Sequence, residues 1–402
     1  MSAQEPHTAA VSDRGALTIF KIYLRLGLTA FGGPVAHIGY FRNEFVARRR
    51  WLGERDFADF VALAQLLPGP SSGQVGMAIG LLRGGWRGAF AAWAGFTLPS
   101  TLLMMLFALG LAHWGNWIPP GVLHGLKLLA VAVVAQAVWG MARTLCPDAP
   151  RCAVAGVAAA LVLAMPTALG QIAAIVFGAL FGLAWRRTVH VADHTAALPI
   201  ALRRSVGAAL IGVFFLILAL LPIVEQVWPG RITAMAAGFY RAASLVFGGG
   251  HVVLPLLHAA VVPNGLVSNE TFLAGYGAAQ IIPGPMFTFA AFLGTSIAGV
   301  WGALAATIAI FAPSFLLVFG VLPFWERMRR DSRTQSALAG INAAVVGLLA
   351  AALYHPVWIS AVTGVVDVGV VGAALLALML GKWPSWLVGA ACAVVGALLA
   401  AL

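Results

Sequence analysis

Gln65-Leu66-Leu67-Pro68-Gly69-Pro70 returns 215 residues later as Gln280-Ile281-Ile282-Pro283-Gly284-Pro285. Pro-Gly-Pro removes backbone donors and frees the chain, so it ends one helix and begins another inside an apolar stretch. Residues 57–67 and 71–82, which flank the first copy, each make about 17 Å of helix. Neither piece crosses about 30 Å of hydrocarbon alone, so the pair is expected to enter and leave by one face.

Further landmarks repeat in the same order. Arg25 with Phe31-Gly32-Gly33 is answered by Arg241 with Phe247-Gly248-Gly249. Gly85-Trp86-Arg87-Gly88-Ala89 is answered by Gly299-Val300-Trp301-Gly302-Ala303, and Pro99-Ser100 by Pro313-Ser314. Gly125-Leu126-Lys127 finds its partner in Gly340-Ile341-Asn342, and the offset stays between 214 and 216 throughout. The chain is a duplication.

Of its 402 residues, 61% are hydrophobic and 9% charged, a ratio that no soluble fold can cover with polar surface. The expected fold is all-α: a polytopic integral membrane protein of two inverted-topology repeats with broken, re-entrant helices. The net charge of +11 sits in short loops between apolar runs, which argues against nucleic-acid binding. Cys146, Cys152 and Cys392 form no CxxC pair or metal-ligand spacing, so neither a metal site nor a cofactor is expected.

Loop charge sets the orientation. Arg42, Arg48, Arg49, Arg50 and Arg55 follow the first hairpin, and Arg83 and Arg87 follow the second. The matching segments of the second half, 258–270 and 294–302, carry no Lys or Arg. The first set reads as cytoplasmic and the second as periplasmic, which inverts the halves. The expected division is a cytoplasmic tail at 1–15, a first repeat at 16–187, a linker with one extra span at 188–230 and a second repeat at 231–402. About nine full spans and four half-depth hairpins are expected, with the N-terminus cytoplasmic and the C-terminus periplasmic.

A helix that begins inside the membrane presents free N–H groups and a positive dipole end, which attract an anion. Ser71, Ser72 and Gly73 open one such helix and Thr288 stands near the start of its partner. Arg25 and Arg241 lie in apolar stretches where a guanidinium needs a polar cavity or partner, and a pair of them suits an oxyanion. Gln65 and Gln280 stand before the breaks as further donors, and Lys127 is a second-rank anion contact. Gly32, Gly33, Gly248 and Gly249, with Pro68, Gly69, Pro70, Pro283, Gly284 and Pro285, are the hinges. His37, His251 and Asp367 are candidates for carrying a coupled proton.

The run from Leu26 through Phe31-Gly32-Gly33-Pro34 to His37 and Phe41, the Arg48-Arg49-Arg50-Trp51 loop and both Gln-x-x-Pro-Gly-Pro breaks resemble the chromate ion transporter family. The resemblance covers nearly the whole chain, in the long, two-domain form. It implies secondary active efflux of chromate across the bacterial inner membrane, energised by the membrane potential or a proton gradient, and chromate resistance. Sulfate is the related oxyanion and an expected competitor. An uptake or exchange carrier for sulfate or another oxyanion is the alternative, and a membrane enzyme is disfavoured by the lack of any cofactor fingerprint. Assembly into a homo-oligomer stays open.

Overall fold

The computed structural model describes residues 15–114, 119–185, 202–247 and 249–400. Residues 1–14 of the expected tail, 186–187 of the expected first repeat, 188–201 of the linker, and Gly248 lie outside the described residues. Every regular element described is helical.

The first repeat runs α1 (Ala16–Thr29), α2 (Gly33–Phe41), α3 (Glu54–Leu66), α4 (Ser71–Trp114), α5 (Pro120–Leu145), α6 (Ala149–Ala164) and α7 (Ala168–Trp185). α8 (Arg204–Val227) follows as a single apolar helix. The second repeat runs α9 (Arg231–Leu245), α10 (Val253–Val261), α11 (Asn269–Ile281), α12 (Phe289–Val321), the short α13 (Trp325–Arg330), α14 (Ser332–Ala352), the short α15 (Ile359–Ala361), α16 (Val365–Met379) and α17 (Ser385–Leu399).

The glycine breaks act where the sequence puts them. After α1, Ala30 is extended and Gly32 takes a left-handed φ of 96° before α2. After α9, Val246 is extended and Gly249, at φ 144°, leads into a 3-10 turn and α10. The Pro-Gly-Pro breaks separate α3 from α4 and α11 from a 3-10 turn that opens α12.

α4 and α12 each bend back on themselves at matched points. Gly85 (φ 61°, ψ −154°) and Gly299 (φ 61°, ψ −148°) leave the helical region almost identically. A Cβ on Gly80 would lie 2.5 Å from the carbonyl oxygen of Gly88, and one on Gly294 would overlap the carbonyl of Gly302. The two arms of each helix therefore pack against each other across the bend.

Among the described residues, five helical stretches are long and apolar enough to cross a membrane: Ser71–Trp114, Pro120–Leu145, Arg204–Val227, Met286–Met328 and Ser332–Ala361. The other expected spans, α6, α7, α16 and α17, have 16, 18, 15 and 15 residues. At about 1.5 Å per residue these are shorter than the hydrocarbon thickness. They occupy corresponding places in the two repeats, and breaks at Pro166 and Gly364 limit α6 and α16.

The repeats exchange their last helices. α7 packs on α14 and α17 on α5, through glycine contacts that leave no room for a side chain. A Cβ on Gly178 would lie 2.5 Å from the carbonyl of Gly340, and Gly125 is closed in the same way by the Cys392 backbone. Apolar helices in lipid gain little from hydrophobic burial against each other, so close backbone approach at small residues holds them.

Candidate functional site

The two repeats are tied together at their breaks. The Gly69 amide, in the first Pro-Gly-Pro, donates to the Val246 carbonyl just before the second repeat's glycine break, at 2.7 Å. The Gly284 amide donates in return to the Ala30 carbonyl at 2.9 Å. Both glycines have positive φ, 117° and 103°, and each lies against a serine of the other repeat, Ser314 and Ser100. Four interruptions thus converge on one point, where their freed backbone groups find partners.

Beside this point lies a cavity of about 70 Å³, lined by Gly32, Gly33, Val133, Gln136, His251, Ala279, Gln280, Ile282, Gly284, Met286 and Ser385. Three helical starts border it: α2 at Gly33, the turn at Met286 that opens α12, and α17 at Ser385. A helical start carries unpaired N–H groups and the positive end of the helix dipole. Gln136, Gln280 and Ser385 add neutral side-chain donors, and His251, bonded to the Tyr276 hydroxyl at 3.0 Å, adds an imidazole to the wall. Gln280 stands beside the Tyr276 hydroxyl, and its Nε2 reaches the Met286 sulfur at 3.8 Å. The cavity suits one small anion held by neutral donors and helix ends.

The structure separates the two arginines. Arg25 meets Glu44 at 2.6 Å in a cleft of about 490 Å³, where Arg49 (2.6 Å) and Arg48 (3.2 Å) bind the same carboxylate. Burial alone pushes the Glu44 carboxyl up, but Arg49, Arg25 and Arg48 together hold it below its ordinary value. Three guanidinium groups around one carboxylate leave the cleft positive. Arg241 instead forms a two-point pair with Glu225 of α8, at 2.7 and 2.9 Å, in a separate cleft of about 330 Å³.

The other expected residues are dispersed. Gln65 is exposed, although Gln280 lines the cavity. Ser72 is buried against His37 Nδ1 at 3.3 Å, and His37 Nε2 faces the Ala30 carbonyl at 3.2 Å. Ser71 and Gly73 open α4 beside them. Thr288 donates to the Pro285 carbonyl at 2.8 Å, which folds the turn back on itself. Pro68 accepts from Gln74 at 2.7 Å, Pro70 precedes α4, and Pro283 and Pro285 flank Gly284. Lys127 pairs with Glu270 at 3.1 Å, away from the cavity.

Asp367 is at the beginning of α16, where the sequence suggested the interior of a span. Its carboxylate accepts from the Thr363 and Gly364 amides and the Thr363 hydroxyl, and from His124 at 2.8 Å. Pro356 and Gly364 interrupt the long apolar run, so a helix start needs capping at that point.

Gln136 and Ser385 were not singled out from the sequence. Gln136 is the one amide side chain in α5, and Ser385 follows a Pro that ends a loop; both signals were present.

The family profile described as chromate transporter matches residues 17–183 and 233–397. A "Chromate transport protein" of Pseudomonas aeruginosa is 30% identical over 83% of this chain and 79% of its own length. A "Probable chromate transport protein" of Synechococcus elongatus is 28% identical over 83% and 82%, and an uncharacterized transporter of Methanocaldococcus jannaschii 29% over 85% and 84%. No solved structure matches. A two-repeat profile over most of the length, on a scaffold whose breaks interlock at a small polar cavity, places the chain in the chromate transporter family.

Proposed function

We propose that this protein exports chromate from the bacterial cell as a secondary active transporter of the inner membrane. The observation that carries the reading is the convergence of three helical starts on one small polar cavity where the repeats interlock. Chromate is a tetrahedral dianion, and helix starts with neutral donors stabilise such charge while still releasing it.

The Arg25–Arg48–Arg49 cleft favours capture from its own side. Loop charge assigns that side to the cytoplasm, because Arg42, Arg50 and Arg55 belong to the same segment. The clefts are unequal: Arg241 is matched one to one by Glu225, whereas Glu44 leaves net positive charge. A dianion is drawn to the cytoplasmic cleft and finds a neutral route beyond, as export requires.

Everted membrane vesicles test this. Gradient-dependent accumulation of labelled chromate, lost in the Gln136→Ala/Gln280→Ala variant, is the expected result. Accumulation only in right-side-out vesicles would make the protein an importer. The cavity donors recognise charge and tetrahedral shape, which sulfate shares, so excess sulfate belongs in the same assay. A flux carried by sulfate and indifferent to chromate would replace the substrate but keep the site.

A further inference from the structure

The two repeats share a plan, but their hairpins are not docked alike. α11 packs on α5 and α17, and α10 on α7 and α14. Among the described residues, α3 packs on α4 and on the turn at Arg42–Arg48, and α2 on the same two; neither makes comparable contact with α7, α14, α5 or α17. The cores agree. The second hairpin shares one apolar core with α5, α14, α16 and α17, whereas the first hairpin's core includes no residue of α6, α7 or α14.

The uncovered surface is one helical face. Ala58 and Gln65 of α3 are exposed and Ala62 is half-buried. Their counterparts at the 215-residue offset are Leu273 and Gly277, fully buried, and Gln280. Gly277 is closed against the Leu126 backbone of α5. By the same offset, Leu126 corresponds to Ile341 of α14, which is only partly covered.

A polar pair repeats the asymmetry. Lys127 of α5 reaches Glu270 of α11 at 3.1 Å, which ties the second hairpin to the helix it packs on. The equivalent positions are Asn342 on α14 and Arg55 on α3. Arg55 is exposed, and Asn342 Oδ1 is buried with no hydrogen-bond partner among the described residues. A buried orphan acceptor is costly and calls for a donor. The repeat supplies one in Arg55, in a state where α3 has docked as α11 docks here.

We infer that Lys127–Glu270 and Arg55–Asn342 are the two gate contacts of the transport cycle, and that they form alternately. The structure has the α11 gate closed and the α3 gate open. In the second state Ala62 packs on Ile341, Arg55 donates to Asn342, and Lys127 and Glu270 part. The inference rests on the protein being a transporter but not on which anion it carries.

Cysteine cross-linking in membranes tests it, in a background with Cys146, Cys152 and Cys392 replaced. Lys127→Cys/Glu270→Cys reports the state seen here, and Ala62→Cys/Ile341→Cys reports the other. Both pairs are expected to cross-link, and the Ala62→Cys/Ile341→Cys cross-link is expected to stop transport until it is reduced. Absence of the 62–341 product in a protein that forms the 127–270 product overturns the inference. Absence of the 127–270 product overturns it as well, since the closed gate is then not formed. As an independent readout, Lys127→Met should raise labelling of Leu273→Cys by an impermeant maleimide from the α11 side roughly twofold to fivefold, the scale of an exposed ion pair. Unchanged labelling at position 273 counts against the gate. Because cross-linking and labelling need no substrate, a wrong assignment of chromate leaves both results standing.

Discussion

Gly69 donates its amide hydrogen to the carbonyl of Val246 across the boundary between the repeats, at 2.7 Å. Neither residue has a side chain that could make this bond, so the contact is a property of two broken backbones. Gly69 sits at φ 117°, where a side chain is strained, and an added Cβ would overlap the Ser314 hydroxyl.

Gly69→Ala and Gly284→Ala should therefore each destabilise the protein by about 1–3 kcal/mol and abolish anion flux. Thermal unfolding in detergent and vesicle flux measure the two effects. Removing the opposing hydroxyl in Gly69→Ala/Ser314→Ala should recover part of the stability, because the closest overlap goes while the approach to Gln74 Nε2 and the backbone strain remain.

Two glycines of one helix should respond in opposite directions to the same change. Gly125 of α5 is closed by the backbone of α17, whereas a Cβ on Gly140 meets nothing within 4 Å. Gly125→Ala should unfold at lower temperature. Gly140→Ala should be neutral or more stable, by up to about 1 kcal/mol of helix propensity.

The glutamines that end the two hairpins should not be equivalent. Gln280 lines the cavity with Gln136, while Gln65 is exposed, and position 351, which answers Gln136 in the repeat, is an alanine. Gln136→Ala and Gln280→Ala should each lower chromate flux at subsaturating concentration about tenfold or more, as befits a hydrogen bond to a charged ligand. Gln65→Ala should change it far less.

Glu44 links stability to pH. Its carboxyl is held below its ordinary value by Arg49, Arg25 and Arg48 against the opposing effect of burial. A depressed carboxyl stabilises the fold fully above its unfolded pKa of about 4.3, and that contribution is lost as pH falls through the folded value. Glu44→Gln should thus cost about 2 kcal/mol at pH 7, with the gap to the parent protein closing below about pH 4. A melting series across pH in detergent reads it.

Much of the architecture was legible in the chain. Apolar content, the paired Pro-Gly-Pro and glycine breaks, and the lopsided loop charge are local properties, and local geometry at Gly32, Gly69, Gly249 and Gly284 follows from residue type. Arg25 and Arg241 show the limit. Their equivalent positions suggested one shared anion, but each found a carboxylate, Glu44 or Glu225, that no spacing along the chain pairs with it. Asp367 likewise looked like a membrane-buried acid until the break before α16 made it a cap.

The sequence alone determined a duplicated, helical membrane protein with four interruptions, because a helix in lipid must satisfy its backbone locally and only Pro and Gly release it. Tertiary structure decided which interruption meets which, that Gln136 and Ser385 border the cavity, and that the two hairpins dock unequally. Those outcomes depend on contacts between helices far apart in the chain, set by close packing at glycines such as Gly125, Gly178 and Gly277, which no periodicity along the chain encodes.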